Sequence, residues 1–236
     1  MWGREVDGVT LTFHLAGINN QNFLMRDEET GTYWQQISGR AVSGPLAGKT
    51  LPLIHCDELT FALWKSEQPN GSILKDVAAF APNYSPKNWD IRMKHAPTVI
   101  SHAQPGIVDR EVMLGVRAGG AARAFPYEAV KREKLVVDQV GSAAILLVLG
   151  PDNQSVRAFL RTLPDGRGVA EFYRTGNEPA FMMDSISGSS WSFQGCAIEG
   201  TLKGACLSPV EVIKDYWFDW REYNPHTTVY QITARR

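Results

Sequence analysis

The sequence predicts a strand-dominated α+β fold made of two related halves, and three observations predict it. A string of residues near the N-terminus returns near the C-terminus. Short apolar runs bounded by Asp-Gly and glycine-rich turns are typical of antiparallel strands. Each half also has one short stretch with helix caps and a proline stop. We therefore expect short helices packed on antiparallel sheets, in two pseudo-symmetric repeats.

The repeat is clearest around an aspartate, a tryptophan and a glycine-rich block. Asp27 and Trp34 of the first string correspond to Asp184 and Trp191 of the second, at the same separation. The glycine-rich blocks that follow align after a single-residue gap. Further correspondences join Phe13 to Phe172, Gly17 to Gly176, Trp64 to Trp220 and Pro69 to Pro225.

The elements of the first half follow from local signals. Asp7-Gly8 separates two short alternating runs, which indicates a hairpin over residues 4–13. Residues 23–25 form an apolar run that ends in a polar turn, as a buried strand does. Asp57 can cap a helix over residues 58–68, which Pro69 stops, and a short strand is expected at residues 73–74.

The second half repeats these signals. We expect a hairpin over residues 161–172, around Asp165-Gly166, and a buried strand at residues 181–183. Ser208-Pro209 offers a cap and a first-turn proline for a helix over residues 210–223. A strand at residues 228–230 follows.

The second half has an additional segment in front of it. This segment predicts strands at residues 111–116, 135–140 and 143–149, with a helix at residues 127–134 begun by Pro126. Before it, four prolines and no sustained period indicate a long connector. We therefore divide the chain into a truncated first repeat (1–75), a connector (76–106) and a near-complete second repeat (107–236), packed as one globular unit.

Composition excludes several function classes. The 236 residues include 24 basic and 25 acidic ones, for a net charge of -1, and no basic run is long enough to follow a phosphate backbone. Nucleic acid is therefore not an expected partner. No apolar stretch approaches the roughly 20 residues that span a bilayer. The first residues do not resemble a secretory signal, which indicates a cytoplasmic chain as written, or an exported one if a leader has been removed.

The three cysteines leave two possibilities open. Cys196 and Cys206 lie in one glycine-rich segment, so they could form a disulfide in an oxidising compartment. An odd number of cysteines in a chain of this size favours free, buried thiols instead.

A resemblance to a known family rests on the repeated string. The pattern Asp-x-x-Thr-Gly-x-x-Trp-x-x-x-x-Gly-x-Ala-x-x-Gly-Pro-Leu-x-Gly over residues 27–48, followed by a tryptophan-containing helix and a proline, resembles the bacterial and archaeal domain of unknown function 3179. The second string, with residues 114–126, resembles a whole domain of that family. The resemblance implies fold and kinship, because the activity of the family is uncharacterised.

One departure from the family pattern limits what the resemblance implies. Members often carry a Cys-Pro-x-Cys pair before the hairpin, whereas this chain has Gly150-Pro151-Asp152-Asn153 there. Any thiol redox or soft-metal role of such a pair therefore does not transfer to this chain.

The two aspartates of the repeat have two interpretations. Brought together by pseudo-symmetry, Asp27 and Asp184 would offer oxygen ligands to calcium or another divalent cation, or would transfer protons. Alternatively, each carboxylate accepts backbone N–H groups of its own loop. The loop interpretation is favoured, because Asp-x-x-Thr-Gly is itself good turn chemistry.

The aromatic residues beyond these turns also have two interpretations. Trp34 and Trp191 would form a stacking wall for a flat ligand, or they would anchor the core. Gln36 belongs to the polar flank that is found only beside the first turn, so the first half is the better candidate for a polar pocket.

The histidines show no zinc-binding spacing. His95 and His102, with Asp90 and Asp109 in or beside the connector, form the best candidate cluster, and they are also candidates for catalysis. A polar loop is the simpler interpretation of these four residues.

Three hypotheses for function follow. The first is a module that binds a small molecule or a protein near Asp27, Trp34, Gln36, Asp184 and Trp191. The second is a hydrolase of small esters or lactones, in which Asp27, Asp184 or the connector histidines hold a metal that activates water. The third is an assembly role, in which a homodimer completes the truncated first repeat through an open sheet edge.

Overall fold

The computed structural model describes residues 1–19, 22–176 and 179–231, which form a strand-rich α+β structure with short helices. The predicted fold class is therefore correct at this level. A small hairpin comes first, made of β1 (Glu5–Val6) and β2 (Val9–Thr10). Its turn residues Asp7 and Gly8 have φ angles of 51° and 79°, the left-handed values that a tight two-residue hairpin requires. The predicted hairpin is confirmed.

Four antiparallel strands in chain order form what we call the first sheet. They are β3 (Phe13–Asn19), β4 (Asn22–Asp27), β5 (Tyr33–Gln35) and β6 (Arg40–Ser43). One side of this sheet packs on a small core that includes Val6, Leu11, Trp34, Ala41 and Leu51.

Helix α1 (Phe61–Glu67) follows, shorter than predicted. Thr60 caps it, since the Thr60 hydroxyl accepts from the Leu63 amide, and the predicted cap at Asp57 is wrong. No strand forms at residues 73–74, where one was predicted. The connector is exposed and contains a 3-10 helix (Ala78–Asn83) and helix α2 (Trp89–Lys94).

The additional segment folds largely as its apolar runs predict. It comprises β7 (Val112–Ala118), β8 (Ala121–Pro126), α3 (Tyr127–Glu133), β9 (Leu135–Val140) and β10 (Ala143–Leu149). Of the strands between residues 112 and 160, β8 and the following β11 (Val156–Leu160) were not predicted.

A second antiparallel sheet, which we call the second sheet, has the same strand order as the first. Its strands are β12 (Phe172–Arg174), β13 (Met182–Asp184), β14 (Ser190–Trp191) and β15 (Ala197–Glu199). Cys196 and Cys206 form a disulfide beside β15, so the free-thiol alternative is wrong for this pair, and Cys56 remains free.

The last part of the chain corrects one helix prediction. Residues 210–223 do not form one helix, because their first part pairs as strands: β16 (Pro209–Val210) and β17 (Val212–Tyr216) precede α4 (Trp217–Tyr223). Ser208-Pro209 indicates the start of a helix, but the backbone of residues 212–216 pairs with β7 instead. The predicted strand near residue 228 is present as β18 (Thr228–Val229), parallel to β8.

Two further sheets form the centre of the structure. The cover sheet has the order β16-β11-β10-β9, and the terminal sheet has the order β17-β7-β8-β18. Strand β10 is buried on both faces: Leu146 and Val148 belong to the core with the second sheet, whereas Ile145 and Leu147 belong to the core with the terminal sheet. The second sheet therefore packs against a layer of the chain's own strands.

The tryptophans lie in several cores. Trp34 belongs to the core of the first sheet, and Trp191 belongs to the core of the second sheet. These two residues therefore anchor separate cores. Trp217 and Trp220 of α4 pack with Met113 on the other side of the terminal sheet. Within the described residues, no helix has the length and apolar character to cross a bilayer.

The glycine-rich blocks of the two halves make matching local contacts. The amide of Leu46 donates to the Thr32 hydroxyl at 3.2 Å, and that of Leu202 donates to the Ser189 hydroxyl at 3.1 Å. Gly44 has a positive φ of 109°, and a Cβ there would lie 2.7 Å from the Thr32 backbone, so only glycine fits. Whether whole halves are related by pseudo-symmetry stays a prediction.

Candidate functional site

The Asp27 loop is a closed hydrogen-bonded unit at the end of β4. The Asp27 carboxylate accepts from the amides of Thr30 at 2.6 Å and Gly31 at 3.1 Å, and from the Thr30 hydroxyl. The indole of Trp34 donates to the other oxygen at 2.7 Å. Both Asp27 and Trp34 are buried. The carboxylate is therefore fully occupied by its own loop.

The Asp184 loop has the same construction at the end of β13. The Asp184 carboxylate accepts from the amides of Ile186, Ser187 and Ser189. The Trp191 indole donates to the Asp184 carboxylate at 3.0 Å, and Trp191 is completely buried, as Trp34 is. Both aspartates thus behave as turn residues, the interpretation that the sequence favoured.

Hydrogen bonds lower the pKa of the aspartate carboxylate in both loops. Burial acts to raise the pKa of Asp27, but bonds from Trp34, Thr30 and Gly31 outweigh it and hold the pKa below its usual value. The pKa of Asp184 is lowered in the same way, by bonds that include those from Ser187 and Trp191. Each carboxylate therefore stays ionised inside the protein, as an acceptor for an indole N–H.

These loops offer little to a ligand in the conformation described. The indoles of Trp34 and Trp191 have 0% exposure, so neither presents a face on which a flat ligand could stack. Gln36 is exposed, but its carbonyl accepts from the Trp2 indole. Ligand binding by these residues, and a cation between Asp27 and Asp184, stay predictions. In the described ranges, no three His, Cys, Asp or Glu side chains are grouped to hold a metal ion.

The histidines of the connector have different surroundings. His95 is the exposed C-cap of α2. His102 is tied to the protein: its amide donates to Asp109, and its Nε2 lies 2.9 Å from a Glu222 carboxylate oxygen. The His102 carbonyl also accepts from the Trp217 indole. His102 thus anchors the connector to α4, and its role in catalysis stays a prediction.

A charged junction joins the two halves of the chain. His55 Nδ1 lies 2.9 Å from Glu211, and Arg157 pairs with both Asp57 and Glu67 at 2.7–2.8 Å. The adjacent space is about 20 Å³, which is room for about one water molecule. This junction is therefore a structural ion-pair network, too tight for a small-molecule ligand.

A roomier cavity lies at the end of α4 and has a volume of about 580 Å³. We call it the Arg117 cavity. Its walls include Arg117 at the end of β7, the Gly119-Gly120 turn, and Asn224 and His226 after α4. The turn glycines have φ angles of 54° and 79°, which allow the two-residue connection between β7 and β8.

Arg117 is held in a defined position in this cavity. Its Nε donates to the Asn224 side-chain oxygen at 2.7 Å, and its guanidinium lies 5.3 Å from the centre of the buried Trp220 ring. Asn224 is itself fixed, because its side-chain nitrogen donates to the Trp220 carbonyl at 2.8 Å. Among the described residues, Arg117 forms no salt bridge with a carboxylate within 4.0 Å.

A pair of acidic residues lies near Arg117. Burial and the nearby charge of Asp219 raise the pKa of Asp215 to about 8. Burial also raises the pKa of Asp219, whose carboxylate accepts from the Asn22 side chain of the first sheet. Asp215 is therefore mostly uncharged at neutral pH.

Sequence reasoning did not find the Arg117 cavity. Arg117, Asn224 and His226 are far apart in the chain, and they meet only because β17 and α4 fold back onto β7. The available signals were a Gly-Gly turn and a polar Asn-Pro-His sequence after a tryptophan helix. Each of them is ordinary turn or helix-end chemistry.

Comparison with known proteins identifies a family for this chain but assigns it no activity. No curated protein and no solved structure matches the chain. A family model described as "Protein of unknown function (DUF3179)" matches residues 1–227, which include both Asp–Trp loops and the Arg117 cavity. The resemblance inferred from the repeated string is thereby confirmed, and the chain belongs to this family.

Proposed function

We propose that this protein binds a small anionic ligand in the Arg117 cavity. The observation that carries the proposal is an arginine at a cavity wall that is fixed by Asn224, lies over Trp220 and has no described carboxylate within the 4.0 Å of a salt bridge. A guanidinium with such a fixed orientation suits the paired oxygens of a carboxylate or a phosphate.

The size and lining of the cavity support a small ligand. About 580 Å³ lies within the range of small-molecule sites. Gly119 and Gly120 leave the wall beside Arg117 without bulky side chains, and His226 offers ring nitrogens as hydrogen-bond partners. Carboxylates and phosphate esters share the chemistry that Arg117 would recognise.

The protonation of Asp215 supports the same proposal. With its pKa raised to about 8, Asp215 is mostly neutral at pH 7 and leaves the positive charge of Arg117 available. Above pH 8 the ionised Asp215 would compete for that charge. Anion binding should therefore weaken as the pH rises through about 8.

Isothermal titration of the protein with inorganic phosphate and with citrate tests this proposal, with glycerol as the uncharged comparison. We expect at least one of the two anions to bind the unmodified protein at pH 7. Its affinity for Arg117→Met should be about tenfold lower or weaker still, and its affinity for the surface control Arg40→Met should be unchanged. Absence of anion binding, or equal binding by Arg117→Met, would overturn the proposal.

The hypothesis of a metal-assisted hydrolase has less support. Each of the proposed metal ligands, Asp27 and Asp184, accepts several hydrogen bonds from its own loop. A cation would have to displace these bonds and the indole donors as well. Esterase activity abolished by chelation and by Asp27→Asn would revive this alternative.

We further propose that the two halves are related by duplication with an approximate two-fold axis. In the alignment of the glycine-rich blocks, His55 corresponds to Glu211, and these two residues contact each other at 2.9 Å. Contact between equivalent residues is what a two-fold axis produces. The bridge of Arg40 with Thr50 likewise corresponds to that of Cys196 with Cys206.

A further inference from the structure

We propose that strand β3 pairs with β3 of a second copy of this chain across a two-fold axis. The first reason is its position. Strand β3 is an edge of the first sheet, hydrogen-bonded to β4 on one side. An edge strand presents a row of backbone donors and acceptors that another strand can use.

The side chains beside this edge are exposed and apolar. Leu15 is 62% exposed, Ile18 is 70% exposed and Phe23, which is paired with Ile18, is 54% exposed. Leu15 lies opposite Met25, which packs against the core of the first sheet. The exposed side chains at this edge thus adjoin the core of the first sheet.

Of the usual protections of an edge against association, β3 has a β-bulge between Leu15 and Gly17 but no protective residue. The sequence of β3, Phe-His-Leu-Ala-Gly-Ile-Asn, contains no lysine, arginine, acidic residue or proline. At its far end the Tyr223 hydroxyl donates to the Asn19 carbonyl at 3.2 Å, which leaves the stretch from Phe13 to Ile18 for pairing.

The corresponding edge of the second sheet is built differently. Strand β12 has three residues, whereas β3 has seven. Arg174 of β12 lies opposite Met182, as Leu15 lies opposite Met25, and its guanidinium donates to the Leu149 carbonyl of the cover sheet at 3.1 Å. The second sheet is therefore tied to another layer of the same chain, whereas the Leu15 side chain has no donor for such a hydrogen bond.

The geometry and charge of the strand favour a second copy as the occupant. Antiparallel pairing of a strand with itself is two-fold symmetric, so one interface satisfies both molecules. No like charges would face each other, because the strand carries no Lys, Arg, Asp or Glu. The apolar side chains of the two copies would become neighbours and extend one another's apolar surface.

Sedimentation equilibrium of the full chain, from about 1 μM to about 200 μM, tests this inference. We expect the mass to rise from one chain to two, and Ile18→Lys to weaken association about tenfold or more. The matched control is Tyr173→Lys, at an exposed position on β12, and it should associate like the unmodified protein.

A second measurement does not depend on whether the variant folds. Hydrogen exchange of the unmodified protein should show amides of β3 that become protected as concentration rises, while those of β12 do not change. A single-chain mass across the whole range would overturn the inference. So would association that leaves β3 exchange unchanged, or that Ile18→Lys does not weaken while its circular dichroism remains native.

Discussion

The first and second sheets have the same strand order and the same Asp–Trp loop, but they differ in how they are covered. Trp34 and Trp191 are both completely buried. Around them, Phe172 and Met182 of the second sheet are buried, whereas Phe13 and Met25 of the first are only partly buried.

The difference arises from the cover sheet. Leu146 and Val148 of β10 and Phe159 of β11 complete the core beneath the second sheet. The core of the first sheet is smaller and is supplied by neighbours such as Trp2, Val6 and Leu11. The Asp–Trp loop is held by its own hydrogen bonds and therefore forms in both sheets. How deeply each sheet is buried depends on which other strands pack against it.

The largest expected effect concerns the two tryptophans. Trp191→Ala should lower the free energy of unfolding by about 3–5 kcal/mol, because it leaves a large cavity and removes the indole donor from Asp184. Trp34→Ala should cost less, since the smaller core of the first sheet can collapse or admit water. Urea unfolding of both variants measures the difference, and equal losses would contradict the comparison.

A smaller effect is expected at the disulfide. Cys196 and Cys206 occupy the bridge position that Arg40 and Thr50 hold in the first half without a covalent bond. Replacing both cysteines with serine should therefore lower the free energy of unfolding by about 2–3 kcal/mol, mainly because the unfolded chain gains conformational entropy. The fold should remain intact. Thermal unfolding with and without reductant measures this. A variant that fails to fold would show that the two bridges are not equivalent.

The smallest effect concerns the two aspartates. Asp27→Asn and Asp184→Asn should each cost about 1–3 kcal/mol at pH 7, through weaker bonds to the loop amides and the indole. The folded pKa of each aspartate lies below its ordinary value of 3.8. Its stabilisation is therefore present above pH 3.8 and lost as the pH falls through the folded pKa.

Acid unfolding followed by tryptophan fluorescence checks this last prediction. Each asparagine variant should lose part of the dependence of stability on pH below about 4, because it removes one carboxylate whose pKa is lowered by folding. Unchanged acid profiles in both variants would show that the carboxylates are not held as the hydrogen bonds indicate.

The sequence by itself determined the local features of this protein. Asp7-Gly8 requires left-handed backbone angles and forms the hairpin that these residues predict. The Asp27 and Asp184 turns likewise form from contacts within a few residues of each aspartate. Strand β10 was recognisable because an apolar run of that length is typical of a strand buried on both faces.

Only the tertiary structure decided the features that depend on distant partners. Residues 212–216 became a strand because β7 lies beside them, although their apolar spacing also suits a helix. The Arg117 cavity exists because Asn224 and Trp220 are brought against β7 by that pairing. Residues that pair at long range have no characteristic spacing in the sequence. The sequence alone therefore could not predict the cavity or the unequal burial of the two sheets.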